Sequence, residues 1–523
     1  MTASDADTLA PSRLSERAAN PRILRLDAKD NVVVAIDPIL IGAIAEDVSA
    51  LSRVPKGHKI ATAAITQGEA IIKFGQIIGF ATSDIGAGEH VHEHNCGVHE
   101  FARDYQFAEA AAAERVLPVQ ERRMFEGYRR ANGKVGTRNY IGILTSVNCS
   151  ASVARFIADE FNRSNILDDY PNIDGVVPFV QGSGCGMAGK GSEGFKVMQR
   201  TEWGYARHPN LAGTLMVGLG CEVMQIPGLL EDYGLEENEM FRTMTIQASG
   251  GTRKTVERGV AVIGEMLAKA NAVKRQNIPV SELMLALQCG GSDGYSGITA
   301  NPALGKAVDI LVEQGGTAVL CETPEIYGAE HLLTRRAATP EIGEKLVEII
   351  KWWEDYTARN HGAMNNNPTP GNKAGGLTTI LEKSLGAAAK GGTTTLRGVY
   401  RYGEPITTRG FVFMDSPGYD PVAVTGQVAS GCNIICFTTG RGSAFGFKPS
   451  PSIKLATNND TWQRQEEDMD INCGDILDGV SIEDKGRLIF EEVIKVASGK
   501  RTKSEELGYG DNEFVPWQIG AVM

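Results

Sequence analysis

Short apolar runs recur along the whole 523-residue chain, but what separates them changes near residue 125. Before that point, Val32-Val33-Val34-Ala35-Ile36, Ile60 to Ile65 and Ile71 to Phe80 are brief β-type runs, broken at Pro55-Lys56-Gly57 and at Gly68. Little helical periodicity lies between them, so residues 22–95 are expected to form a small all-β module. Residues 1–21 are polar and read as a disordered tail. Residues 96–125 lose the strand pattern. Their stretch AEAAAAERVLPVQERR, Ala- and charge-rich and broken by Pro118, suits a linker.

After Phe125 the two periods alternate. Strand patterns over Tyr140 to Val147, Gly175 to Val180, Leu215 to Leu219, Phe241 to Gln247 and Leu283 to Gln288 are each followed by a helical one. The strongest helical stretches are Ser150 to Asn162 and Thr252 to Val273. Strands at Ala318 to Cys321, Phe411 to Asp415 and Asn433 to Thr439, with helices at Ile342 to Thr357 and Leu377 to Ala389, continue the series. The expected fold is an α/β main body with parallel-type sheets in two domains, 126–279 and 280–500, beside the all-β module. Residues 501–523 read as a polar tail over the body.

Charge narrows the partners. With 52 basic and 64 acidic residues, a net −12, and no long basic run, nucleic acid and anionic membranes are disfavoured. An anionic substrate therefore needs a local basic pocket. No apolar stretch approaches the ~20 residues of a spanning helix. Nine cysteines, an odd number, without a secretory signal point to a cytoplasmic protein with reduced thiols. Self-association is left open.

Candidate chemistry sits in three places. In Gly88-Glu89-His90-Val91-His92-Glu93-His94-Asn95, strand alternation would put His90, His92 and His94 on one face, where imidazoles can bind a metal or exchange protons; a solvated polar face is the alternative. Cys149, Cys185, Cys221 and Cys289 each fall at or just past the carboxyl end of an expected strand, where thiolates could hold iron, zinc or an iron–sulfur cluster. The third place is a set of Gly-rich loops. LQCGGSDGYSGITANP joins a strand to a helix, NPTPGNKAGG opens a helix with Lys373, and TTGRGS holds Arg441 between glycines.

The motifs GEHVHEHN, YRRANGKVGTRN, GLGCE, QCGGSDGYSGITANP, NPTPGNKAGG and FTTGRGSAFG together resemble the altronate/galactarate dehydratase family, over about residues 25 to 500. The resemblance implies a SAF-like β domain at residues 22–95 and an activity that removes water from sugar acids to give 2-keto-3-deoxy acids. It implies a divalent metal, Fe²⁺ or else Mn²⁺. HVHEH and RRANGKVGTRN are closer to the altronate branch, whereas Gln181-Gly182-Ser183-Gly184-Cys185 and Asn148 depart from the family pattern and leave the substrate open. On this reading a histidine among His90, His92 and His94 is the acid or base, with Lys373 as the alternative. Arg138 and Arg441 hold the carboxylate, and Asp293, Asn301 and Asn372 read hydroxyls. The cysteines, or else His92 or His94, hold the metal. A sulfolactate-type sulfo-lyase and a sugar-acid sensor without turnover are the competing readings.

Overall fold

The computed structural model describes residues 20–99, 103–520 and 522–523, so nearly all of the expected tail 1–21 lies outside the described residues. The chain divides into two compact units, Met1–His99 with Gly375–Thr379, and Glu100–Ala374 with Ile380–Met523.

The first unit contains no helix among its described residues. Strands Ile23–Leu24, Val32–Ala35, Lys59–Ala61 and His90–Val91 form one antiparallel sheet, and Ala70–Lys73, Gln76–Ala81 and Cys96–Gly97 another. Val33, Ala35, Ile39, Val54 and Ile60 close the core. Gly375–Thr379 belongs here because Lys59 Nζ donates to Gly376 O at 2.7 Å and Thr379 Oγ1 donates to Ile78 O. Gly376 has φ +105°, and a Cβ on it would stand 2.3 Å from Gly57 O, so only glycine fits.

The second unit holds two wholly parallel sheets. In the first are β1 (Tyr140–Thr145), β2 (Gly175–Phe179), β3 (Leu211–Gly218) and β4 (Phe241–Thr245), in the order β2-β1-β3-β4. In the second are β5 (Met284–Cys289), β6 (Thr317–Leu320), β7 (Leu396–Tyr400), β8 (Gly410–Met414), β9 (Ile434–Thr439), β10 (Ser452–Ala456) and β11 (Ile471–Asn472), in the order β7-β8-β6-β5-β9-β10-β11. Strands buried on both faces read as near-continuous apolar runs, and β9 (IICFTT) and β5 (MLALQC) do so until their carboxyl ends, where Thr438, Thr439 and Gln288 are buried polar groups.

Helices α1 (Ala151–Asn162), α2 (Glu193–Ala206), α3 (Thr252–Ala272), α4 (Ala300–Glu313), α5 (Pro340–Arg359), α6 (Pro370–Ala374), α7 (Ile380–Ala388), α8 (Asp420–Ala429) and α9 (Ile482–Ala497) supply the layers around them. Helices α1 and α3 cover one face of the first sheet through Val153, Ile157, Phe161, Ile263 and Met266. Its other face, with Leu144, Phe179 and Met216, shares a core with Val422, Val428, Ile435 and Phe437 of the second sheet's side. Helices α4 and α9 close the far face of the second sheet. The two sheets, on either side of the expected boundary at 279/280, therefore pack as one unit.

One local expectation changes, and two peripheral segments are fixed to the second unit. The strand carrying His90 stops at Val91, because the Asn95 side chain closes a turn: His92 N donates to Asn95 Oδ1 (2.9 Å) and Asn95 Nδ2 donates to His90 O (3.0 Å). The Ala-rich linker runs extended along the second unit up to a 3₁₀ turn at Val119–Glu121, with Ala108 N donating to Thr334 O at 3.0 Å and Leu117 N to Glu313 O at 2.8 Å. The polar tail is anchored, with Phe514 and Trp517 buried and a capping box built by Thr502 and Glu505. Among the described residues no helix is long and apolar enough to cross a membrane.

Candidate active site

In the seven-stranded sheet the chain leaves β5 towards β6 on one side and β9 towards β10 on the other. That reversal opens a crevice at the carboxyl ends of β5 and β9, where open α/β sheets place their ligands. The loops after the two strands are stitched together: Gly290 N donates to Thr438 O (3.1 Å), and Gly440 N and Arg441 N donate to Gly291 O (3.1 and 2.8 Å). A cleft of about 430 Å³ lies here, lined by Cys289, Glu325, Asn367, Asn372, Lys383 and Asp420 among others. A second cleft of about 440 Å³, edged by Arg200, Trp352, Arg401 and Trp517, has no comparable knot of buried ionisable groups.

The charged groups of that knot are almost wholly buried. Lys383 Nζ lies 2.6 Å from Glu325 Oε1 and donates to Asn367 Oδ1, while Asn367 Nδ2 donates to Glu325 Oε1 at 3.2 Å. The Cys289 thiol donates to Glu325 Oε2 (3.2 Å) and accepts from Lys390 Nζ (2.9 Å), and Lys390 stands 3.8 Å from Glu322. Burial alone would raise Glu325, but Lys383 and Lys390 outweigh it and hold the carboxyl well below its usual range. Glu322, also buried, has both carboxyl oxygens without a hydrogen bond; burial, then the charge of Glu325, drives its pKa far up. Its backbone is in the left-handed region at φ +69°, uncommon for a residue with a side chain. Burial and Glu325 push Cys289 up to about 12, so the sulfur is a neutral thiol despite Lys390.

Asp420 is the group poised near neutrality. It opens α8, and its carboxyl lies over Gly290, where a Cβ would come within 2.2 Å of Asp420 Oδ2. Burial first, and then the Glu325 carboxylate, lift its pKa to about 7 against the pull of Lys383 and Lys390.

The residues singled out in the sequence divide sharply. Asn372 lines the cleft, though its amide is already engaged, donating to Ser292 O (2.8 Å) and accepting from Thr369 N (2.9 Å). Arg441 stands at the edge through its backbone; its side chain is exposed and has no ion pair among the described residues. Arg138 does not reach a ligand. It is 1% exposed, grips Glu505 at 2.6 and 2.8 Å, and donates to the carbonyls of Thr137, Val496 and Lys500. Asp293 is spent on pinning its loop, accepting from Tyr295 N, Ser296, Thr457 and Asn458. Asn301 is locked between Gly386 O (2.9 Å) and Thr438 Oγ1 (2.7 Å). Lys373 is half-buried on α6, and it is not among the cleft-lining side chains. Lys383, Lys390, Glu322, Glu325 and Asp420 were not visible in the sequence as a site, because each sits singly at an unremarkable helix or loop position.

The first unit carries a separate donor set. His58 Nδ1 is 3.0 Å from His90 Nε2, the His90 and His92 rings stack at 5.4 Å, and the donor atoms of His58, His90 and His92 all lie within 4.8 Å of one another. His94 stays at the margin, its ring 5.6 Å from that of His90. Burial, then the neighbouring rings of His58, His92 and His94, hold His90 down at about 3. It is a neutral imidazole at working pH, which suits ligation rather than proton exchange. Three imidazole nitrogens so close together fit a divalent transition ion. The donor atoms of Cys289, Glu322 and Glu325 also lie within 4.8 Å of one another, with the ammonium groups of Lys383 and Lys390 set against Glu325 and Cys289.

Family models match the chain in three blocks. The altronate/galactarate dehydratase SAF domain covers residues 21–99, the D-galactarate dehydratase/altronate hydrolase second domain 127–271, and the D-galactarate/altronate dehydratase C-terminal domain 280–522. Among curated proteins, the chain is 36% identical to an altronate dehydratase of Bacillus subtilis, over 92% of this chain and 96% of that one. It is 34% identical to the altronate dehydratase of Escherichia coli, with the same two coverages. It is 37% identical to the galactarate dehydratase (L-threo-forming) of Escherichia coli, over 93% of this chain and 94% of that one.

Proposed function

The chain belongs to the altronate/galactarate dehydratase family, and on that premise we propose that it is a sugar-acid hydro-lyase acting on an aldonate or aldarate of the altronate or galactarate type. The observation that carries the reading is a cleft that sets one near-neutral carboxyl, Asp420, beside a buried ammonium group, Lys383.

Loss of water across C2 and C3 needs a base for the C2 proton, stabilisation of the charge that moves onto the carboxylate, and a proton for the departing 3-hydroxyl. Asp420 takes the proton, because a base with a pKa near the working pH combines the deprotonated form with useful strength. Lys383 stays protonated: burial disfavours its charge, but Glu325 and Cys289 raise its pKa, so it is a fixed positive charge facing an anionic substrate. Lys390, held through Cys289 and Glu322, fixes the second charge of the pair, and Asp420, protonated by the first step, returns that proton to the departing 3-hydroxyl so that water leaves and the carboxylate is restored. Asn366, Asn367 and Thr369 offer donors and acceptors to the remaining hydroxyls. The product is the enol and one water; the enol tautomerises to the 2-keto-3-deoxy acid.

His58, His90 and His92 would hold the divalent ion, Fe²⁺ or Mn²⁺, with His94 as a neighbour. A bound divalent ion supplies electrophilic stabilisation of an anionic oxygen. The histidines serve as ligands here and Asp420 serves as the base, in place of the histidine or Lys373 expected from the sequence.

The test is a panel of aldonates, aldarates and sulfolactate, run anaerobically with Fe²⁺, Mn²⁺ or Mg²⁺. Formation of a 2-keto-3-deoxy acid from a sugar acid is the expected result. Sulfite release from sulfolactate alone, or binding of a sugar acid without turnover under every metal, overturns it.

A further inference from the structure

Six of the nine cysteines are buried, as free cysteines usually are; the three exposed ones are Cys149, Cys185 and Cys221. All three stand at the same end of the four-stranded sheet. Cys149 follows the middle strand β1, Cys185 follows its neighbour β2, and Cys221 follows its other neighbour β3. The chain leaves β1 towards β2 and then crosses to β3, so this end is also a topological switch point, the second in the protein and distinct from the cleft at Cys289.

The three loops are fastened to one another beside the thiols. Asn148 N, next to Cys149, donates to Ser183 O (2.9 Å). Gly184 O, next to Cys185, accepts from Val223 N (3.0 Å) and Met224 N (3.3 Å), just past Cys221. Gly184 is pressed so closely on the β1 loop that a Cβ would lie 2.2 Å from Ser146 O, and its φ of +97° is open to glycine. Glu222 ties the third loop to the first by accepting from Ser146 Oγ (2.7 Å) and Gly220 N (2.7 Å). With one residue spanning about 3.8 Å, each thiol is anchored within ~8 Å of the neighbouring loops.

The spacing selects the ligand. Around a single tetrahedral ion with metal–sulfur bonds of about 2.3 Å, thiolates stand about 3.8 Å apart. Among the described residues, the groups whose donor atoms all fall within 4.8 Å are the histidine set and the Cys289 set, not these three thiols. They are too widely set for one ion, yet converge from three tied strand ends. Left bare, three exposed thiols are also a liability to oxidation and cross-linking.

We propose that Cys149, Cys185 and Cys221 are the thiolate ligands of an iron–sulfur cluster of the four-iron type, with one iron not held by cysteine. Glu222 is committed to its loops, and Cys289 belongs to the other sheet's cleft, so neither completes the set. The inference stands apart from the proposed substrate and from the base Asp420.

The full chain, purified anaerobically and reconstituted with Fe²⁺ and sulfide, is assayed for iron, acid-labile sulfide, visible sulfur-to-iron absorbance and, after reduction, electron paramagnetic resonance. About four iron and about four sulfide per chain are expected, beyond any iron held by the histidines. Cys149→Ser, Cys185→Ser and Cys221→Ser should each lose the sulfide and the absorbance, while Cys436→Ser, deep in the core, keeps both. Because a serine variant can fail to fold, the wild-type chain is also alkylated with iodoacetamide. Cluster loading should protect the three thiols together, as read by peptide mass spectrometry, and chelation should expose them together. Iron without sulfide, absorbance that survives all three substitutions, or thiols alkylated equally with and without loading each overturn the proposal.

Discussion

Replacing Asp420 by asparagine should slow the enzyme and at the same time stabilise it. The carboxyl is carried from its ordinary 3.8 to about 7 on folding, by burial and by Glu325. At about 1.4 kcal/mol per pH unit, keeping it ionised in the folded protein costs on the order of 4 kcal/mol. The sign follows from proton counting. Between about pH 4 and about pH 7 the folded chain holds a proton that the unfolded chain has lost, so this group makes stability fall as pH rises and levels off above about 7. Asparagine carries no such charge. Spread over the roughly 400 residues of the second unit, at about 2.1 cal/mol/K per residue, 4 kcal/mol corresponds to a Tm rise of ~5 °C. Asp420→Asn should therefore melt several degrees above wild type at about pH 8 and alongside it at about pH 4, by differential scanning fluorimetry. Its kcat should drop about 10²–10⁴-fold, the usual loss for a general base. In wild type, kcat/KM should rise with pH and flatten above about 7. A variant that is no more stable at the higher pH, or one that keeps its kcat, refutes the reasoning.

Several other outcomes are as definite. Lys390→Met leaves the buried Glu325 carboxylate with Lys383 as its remaining cation, and should lower stability at neutral pH in urea titrations. Arg138→Ala should destabilise by about 3–5 kcal/mol, through Glu505, while kcat/KM of the folded fraction stays at wild-type level; a selective rise in KM would restore its substrate role. Arg441→Ala should raise KM with little change in kcat, since a group that grips a carboxylate does so in ground and transition states alike. His58→Ala should weaken divalent-ion binding as much as His90→Ala, by more than about 100-fold in calorimetric titration, and a chelator should abolish turnover of the wild type.

What the sequence could reveal was set by periodicity. Strands β1, β2, β3 and β5 are apolar runs and β4 (FRTMT) alternates, each within reach of a helical pattern, and their positions follow from pattern alone. Strands β7, β10 and β11 were invisible: LRGVY alternates weakly, SIKLA carries a lysine, and β11 is two residues long. The Gly-rich stretch after β5 was legible as a ligand loop because glycine marks close backbone approach. Its neighbours were not, because Glu322, Lys383, Lys390 and Asp420 meet only when β5, β6, α7 and α8 pack together. His58 was missed for the same reason: it lies 32 residues before His90, and only strand pairing joins them. Asp293, Asn301 and Arg138 show the converse: polar residues in a Gly-rich or basic motif advertise chemistry, and here their side chains hydrogen-bond within the protein, Asp293 and Asn301 to neighbouring loops and Arg138 to Glu505.

The carboxyl of Glu322, without a hydrogen bond and on a left-handed backbone, bears on lineage as well as on mechanism. Exchanging buried charges for well-packed apolar groups is often neutral or stabilising by about 1–4 kcal/mol. A descendant that had retired from chemistry and merely sensed sugar acids would therefore drift downhill, trading Glu322, Lys390 and their neighbours for leucine and methionine within an unchanged fold. This chain holds two lysines, three acids and a thiol together at its cleft, five of the six side chains buried. Loss of that cluster in a relative of the same fold would mark one that binds sugar acids without turning them over.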